Sequence, residues 1–100
     1  MFKNKVLLIS GGTGSFGGAV LKRFLTTDIK EIRIFSRDEL KQDDMRKLYN
    51  DNKIKFCIGD VRENNSINDA MMGVDYVFHA ASHIILLKLI SRENSYFFKY

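Results

Sequence analysis

Apolar residues fall along the chain in short blocks of two kinds. Val6-Leu7-Leu8-Ile9 is a continuous run of strand length, whereas Phe16, Val20, Leu21, Phe24 and Leu25 recur at helical spacing. The same reading predicts strands over Lys5 to Ser10, Glu31 to Phe35, Ile54 to Ile58 and Tyr76 to Ala80. Helices are predicted over Phe16 to Thr26, Asp38 to Tyr49 and Asn65 to Met72. Gly59 and the Asn/Asp clusters at 49–52 and 64–65 supply turns without a single proline. Ser36-Arg37-Asp38-Glu39 has the S-x-x-E form of a capping box with Ser36 as N-cap, and Gly73 is placed to close the third helix.

Strands alternating with helices of this length imply a parallel sheet with right-handed crossovers. The turn Gly11-Gly12-Thr13-Gly14-Ser15-Phe16-Gly17 after the first strand makes the expected fold class α/β, a Rossmann-type doubly wound parallel sheet. Its strand order would be 3-2-1-4, the first mononucleotide-binding half of that fold, with about four strands. In such a turn Gly11 permits the tight bend, Gly14 lets backbone amides approach a pyrophosphate, and Gly17 lets the helix lie close to the strand. The helix also presents its positive N-terminal end to phosphate. A glycine triplet alone is also what a flexible loop collects; the strand before it and the helix after it favour the phosphate site.

The chain has 100 residues, 45% hydrophobic and 28% charged, which allows one small soluble domain. Its formal charge of +4 is spread without a cationic block, which argues against a nucleic-acid partner. The longest apolar run, Ile84 to Leu87, is far short of a membrane span, and no signal peptide precedes the first strand, so a cytoplasmic location is expected. Cys57 is the sole cysteine and reads as an inert strand residue of a reducing compartment.

The tip of the second strand is where this fold meets the adenosine ribose, and an acidic residue there would grip the 2′-hydroxyl of NAD. Here that place is Ser36-Arg37, a hydroxyl and a forked guanidinium suited to a 2′-phosphate, with Lys41 one turn into the helix. The expected cofactor is therefore NADP rather than NAD, although Asp38 and Glu39 lie close by. Asp60 of Gly59-Asp60-Val61 could accept from the adenine amino group while the Val61 backbone pairs with the ring; a solvated turn aspartate is the plainer alternative. Ala80 and Ala81 end the fourth strand with side chains small enough to let the backbone lie against the cofactor. His79 reads as a packed strand residue, because no nucleophile or carboxylate partner is evident.

Together Ile9-Ser10-Gly11-Gly12-Thr13-Gly14-Ser15-Phe16-Gly17, Ile34 to Glu39, Ile58-Gly59-Asp60-Val61-Arg62 and Val74 to Ala81 resemble the extended short-chain dehydrogenase/reductase superfamily. Within it they are similar to the polysaccharide-biosynthesis branch, the inverting UDP-N-acetylglucosamine 4,6-dehydratases and capsular UDP-sugar 4-epimerases. The resemblance implies an NADP site lined by Gly11, Thr13, Gly14, Ser15, Phe16 and Gly17, by Ser36, Arg37, Asp38, Glu39, Leu40 and Lys41, and by Asp60, Val61, Ala80 and Ala81. It also implies hydride removal from sugar C4. Dehydratases return the hydride to C6 after losing water, and epimerases return it to C4 from the other face. A tyrosine and a lysine in Y-x-x-x-K spacing usually carry the protons.

The resemblance covers residues 1–81, expected to be the NADP-binding half of the domain; residues 82–100 diverge, as after truncation or a frameshift. The family lysine expected near Ile84 is absent. Tyr49-Asn50-Asp51-Asn52-Lys53 imitates the catalytic pair, but the second helix, rising about 1.5 Å per residue, carries Tyr49 roughly 18 Å toward the wrong edge of the sheet. No catalytic residue or metal ligand is therefore assigned. The chain is expected to be inactive alone, with a UDP-sugar substrate only in full-length relatives. Its fourth strand would lie at an exposed edge unless the tail covers it, allowing self-association or pairing with a full-length relative. An NADP-binding or interaction module and a nonfunctional fragment are the alternatives.

Overall fold

The structure, a computed structural model, describes the backbone of residues 1–80, 84–90 and 95–98 and the side chains of residues 1–80. Four strands, β1 (Val6–Ser10), β2 (Glu31–Ser36), β3 (Ile54–Ile58) and β4 (Tyr76–His79), alternate with α1 (Ser15–Leu25), α2 (Glu39–Tyr49) and α3 (Asn64–Met71). They pair in parallel in the order β3-β2-β1-β4, as the sequence pattern predicts. Two further strands, β5 (Ile84–Ile90) and β6 (Ser95–Phe98), extend the sheet from β4 in antiparallel pairing.

Alternation along each strand divides the core. Leu7, Ile9, Ile32, Ile34, Ile54 and Phe78 meet Leu21 of α1, with Phe24 of α1 and Met45 and Tyr49 of α2 packed against them. Val6, Leu8, Phe35 and Val77 point the other way and meet Ala70 and Met71 of α3. β1 is buried at all five positions, because it lies between β2 and β4 with helices on both faces.

One sequence expectation is decided between its two alternatives, the tail covering β4, and one is corrected. β4 is not an open edge: β5 pairs along it from Tyr76↔Leu87 to His79↔Ile84. The stretch Ile84-Ile85-Leu86-Leu87-Lys88-Leu89-Ile90 has strand-forming composition, and a buried strand such as β4 needs partners for its backbone on both sides. The cap of α2 is Asp38, not Ser36. Ser36 is still paired in β2, opposite Ile58, and its hydroxyl is taken by Gln42, whereas the Asp38 carboxylate accepts from the Lys41 amide at 2.9 Å. Gly73 follows α3 with φ +78°, the left-handed turn expected of a closing glycine.

Candidate functional site

The carboxyl ends of the four parallel strands surround an open cavity of about 880 Å³. Gly11 and Thr13 come from the turn after β1, Phe35 to Glu39 from the end of β2 and the start of α2, Gly59 to Arg62 from the turn after β3, and His79 from the tip of β4. This is the crevice where the chain reverses its direction of travel across the sheet, the usual ligand position in doubly wound folds.

The first wall is the glycine turn. Gly11 adopts φ +67° and donates its amide to the Phe35 carbonyl at 2.8 Å, tying the turn to β2. A Cβ on Gly17 would lie 2.6 Å from Cα of Gly12, so this glycine is what lets α1 rest on the turn. Gly14 differs. Its Cβ would meet nothing closer than the Gly11 carbonyl at 3.6 Å, and it precedes α1 in an extended conformation with no side-chain cap. The fold therefore has no steric need of a glycine there, and α1 is left without the kind of cap that Asp38 gives α2.

The opposite wall is a charged cluster. Asp60 accepts the Arg62 fork from Nε at 3.0 Å and from Nη2 at 2.6 Å, and also the Arg62 amide at 2.9 Å. Arg37 Nη1 lies 3.6 Å from the same carboxylate, whose side chain is 14% exposed against 70% for Arg37. The hydrogen bonds and charge of Arg62, helped by Arg37, hold the Asp60 carboxyl well below the usual carboxylate range, and Asp60 in turn raises Arg62. The expected adenine acceptor is thus an ionised hub that organises two guanidinium groups. Ser36 forms part of the floor, 8% exposed, and Ser10 shares a hydrogen bond with His79 between the tips of β1 and β4.

Of the residues singled out in the sequence, the cavity brings together Gly11, Thr13, Ser36, Arg37, Asp38, Glu39, Asp60 and Val61. Gly14, Ser15 and Phe16 sit exposed just beyond its lining, and Gly17 is buried beneath them. Phe16 packs on Phe78, ring centroids 5.4 Å apart. Leu40 lies instead on a separate groove beside Arg46 and Ile58, and Lys41 on one between α1 and α2. Ala80 is packed in the core at 4% exposure, and Ala81 lies outside the described residues. The sequence reading left out Phe35, Gly59, Arg62 and His79 from the lining and, behind it, Gln42. Phe35, Gly59, Arg62 and His79 all stand in the motifs that carry the resemblance, Ile34 to Glu39, Ile58 to Arg62 and Val74 to Ala81, whereas Gln42 stands outside them. Tyr49 and Lys53 lie toward the amino ends of the strands, where Lys53 Nζ donates to the Thr27 carbonyl. Burial pushes the Cys57 thiol up, in keeping with an inert side chain. Among the described residues no group of three or more acidic, histidine or cysteine side chains is placed to hold a metal, and no helix is long and apolar enough to cross a membrane.

A family model described as "Polysaccharide biosynthesis protein" matches residues 7–87, a span that contains every described wall of this cavity. The chain belongs to that family. It is 71% identical over 86 residues to a UDP-glucose 4-epimerase of Rickettsia bellii (strain RML369-C) and 67% identical to one of Rickettsia prowazekii (strain Madrid E). Each match covers 82% of this chain and 25% of the relative, so the chain spans about a quarter of the length of these polysaccharide-biosynthesis relatives. Among solved structures it is similar to Pen from Bacillus thuringiensis, with TM-score 0.75 and 40% identity over 79% of this chain and 25% of that one. The Bordetella bronchiseptica enzyme WbmF, solved in complex with NAD+, shares the fold at TM-score 0.61 and 17% identity over 78% of this chain and 23% of that one. The family thereby places the chain in the polysaccharide-biosynthesis branch of the short-chain dehydrogenase/reductases.

Proposed function

We propose that this chain binds the adenosine end of a nicotinamide dinucleotide, NADP in preference to NAD, as the cofactor-holding part of a nucleotide-sugar 4-epimerase or 4,6-dehydratase. The observation that carries the reading is Gly14: a glycine that the fold does not require, at the uncapped start of α1, beside a cavity faced by Arg37. A diphosphate at that turn would take the leading amides and the positive end of α1. The absence of a β-carbon at Gly14 lets backbone and phosphate meet. Arg37, 70% exposed and free to leave Asp60, reaches the ribose 2′ position with its fork. Val61, half exposed on the β3 side, offers backbone to the adenine edge while Asp60 keeps the local geometry.

The bound dinucleotide would supply hydride exchange at sugar C4, and the described residues would hold and orient it. A UDP-sugar of the UDP-glucose or UDP-N-acetylglucosamine type is the proposed substrate of the whole enzyme, supported by the names of the Rickettsia relatives. Precursors of capsule or other surface glycans in the cytoplasm are the proposed setting, supported by the family description.

Calorimetric titration of the chain with NADP and NAD, before and after Arg37→Ala, tests the reading. Losing a charge-assisted fork to a 2′-phosphate should cost NADP roughly tenfold in affinity and leave NAD within about twofold. Equal affinities that the substitution does not change would refute the cofactor assignment.

A further inference from the structure

Gln42 is 1% exposed on α2 and has no part in the hydrophobic core. Its amide nitrogen donates to the Cys57 carbonyl at 2.9 Å and to the Ser36 hydroxyl at 3.0 Å, with the Ser36 carbonyl at 3.4 Å. The orientation of the amide is forced. Both carbonyls can only accept, so the nitrogen and not the oxygen must face them. Oε1 is left buried with no partner among the described residues, so every hydrogen bond this side chain makes to them runs through its amide nitrogen. One consequence concerns Ser36. An amide NH2 only donates, so the Ser36 oxygen must accept, and its own hydrogen is committed to no acceptor among the described residues. Ser36 lines the cavity beside Arg37, at the tip of β2.

We propose that Gln42 is a positioning residue for cofactor selection: by donating to Ser36 from behind, it fixes the serine hydroxyl as a hydrogen-bond donor toward the ribose 2′ substituent. The inference rests on the dinucleotide reading of the cavity. A dianionic 2′-phosphate only accepts, so it gains from a hydroxyl committed to donate. The 2′-hydroxyl of NAD both donates and accepts and pairs with Ser36 whichever way its hydrogen points. Discrimination at this strand tip then depends, besides Arg37, on a residue that touches no ligand.

The test is calorimetric titration of NADP and NAD into the full chain carrying Gln42→Glu, Gln42→Met, Ser36→Ala, and Ser36→Ala combined with each Gln42 substitution. Glutamate is nearly isosteric but accepts, so it turns the serine hydrogen inward and presents a lone pair to the phosphate. The expected result is a fall of about tenfold in the NADP-to-NAD affinity ratio, the size of one hydrogen bond to a charged group. Methionine frees the hydroxyl without reversing it and should lower the ratio about two- to threefold, which keeps the test decisive if a buried carboxylate prevents folding. In the Ser36→Ala background neither substitution should move the ratio. A merely structural Gln42 would weaken both nucleotides together. An unchanged ratio with Ser36 in place, or the same change without it, overturns the inference while the dinucleotide reading stands. A wild-type chain that binds neither nucleotide overturns both.

Discussion

Substituting alanine at three neighbouring glycines should give three different outcomes, because each faces different surroundings. At Gly17 the new Cβ would lie 2.6 Å from Gly12 Cα, 2.8 Å from the Gly12 carbonyl carbon and 2.9 Å from the Gly11 carbonyl oxygen. All three are backbone atoms of the turn that anchors to β2, so no rotamer change can relieve the clash. Overpacking of this kind costs about 3 kcal/mol, and alanine's better helix propensity returns about 1 kcal/mol, for a net loss near 2 kcal/mol. In a chain of 100 residues that lowers the melting temperature by about 10 °C. One residue on, Gly18 has nothing within 4 Å of its Cβ direction, so Gly18→Ala keeps the propensity gain and should raise the melting temperature by about 5 °C. Gly14→Ala should cost the fold no more than about 1 kcal/mol, the difference between glycine and alanine at an N-cap. It should abolish the protection by NADP, which for the wild type at a hundredfold excess over Kd amounts to about 2.7 kcal/mol. Differential scanning fluorimetry with and without NADP reads all three. Equal melting temperatures for Gly17→Ala and Gly18→Ala would refute the packing argument, and full NADP protection of Gly14→Ala would refute the phosphate argument.

Asp60→Asn should destabilise the chain at neutral pH, measured as a lower urea midpoint. Because the folded carboxyl lies below its ordinary value, its contribution is complete above the unfolded value of about 3.9 and fades as pH falls through the folded one. The gap between wild type and variant should persist at pH 5 and close only in stronger acid. Arg33→Met should lower stability by about 1–3 kcal/mol in urea melts, since Arg33 donates to Glu31 at 2.6 Å and to the Ala70 and Met72 carbonyls at the end of α3. Gly73→Ala, at φ +78°, should cost about 1 kcal/mol in the same assay.

The parallel half of the fold was legible because each of its strands is an uninterrupted or alternating apolar run bounded by turn residues, and α1 and α3 each carry an apolar stripe, while α2 is marked by the capping residues at its start and the Asn/Asp turn at its end. β5 and β6 were not. Their composition is as apolar as a buried strand, but the antiparallel return along β4 depends on which backbone groups the rest of the sheet leaves unpaired, information no local window holds. The cap of α2 was misplaced for a similar reason. Ser36 and Asp38 are both good N-caps in isolation, and the choice was made by the pairing of β2 with β3, which carries Ser36 into the sheet. Gln42 reads as an ordinary polar helix residue; only three-dimensional contact with the ends of β2 and β3 shows its amide to be buried.

Charge alone does not make this cavity attractive to a phosphate. Arg37 and Arg62 face Asp38, Glu39 and Asp60, so the formal balance of the lining is negative although the chain as a whole carries +4. Two of those carboxylates are already engaged, Asp38 by the Lys41 amide and Asp60 by Arg62 with Arg37 nearby, and of the two it is Asp60 whose charge is opposed by guanidinium groups. On the proposed reading, selection rests on directed donors: the turn at Gly14, the fork of Arg37 and the hydroxyl of Ser36. Such donors act over hydrogen-bond distances, well inside the screening length of about 8 Å at physiological salt. Affinity for NADP should accordingly depend on salt far less than binding by an open cationic patch would, and the acidic residues around the rim should reject anions that cannot reach all three donors at once.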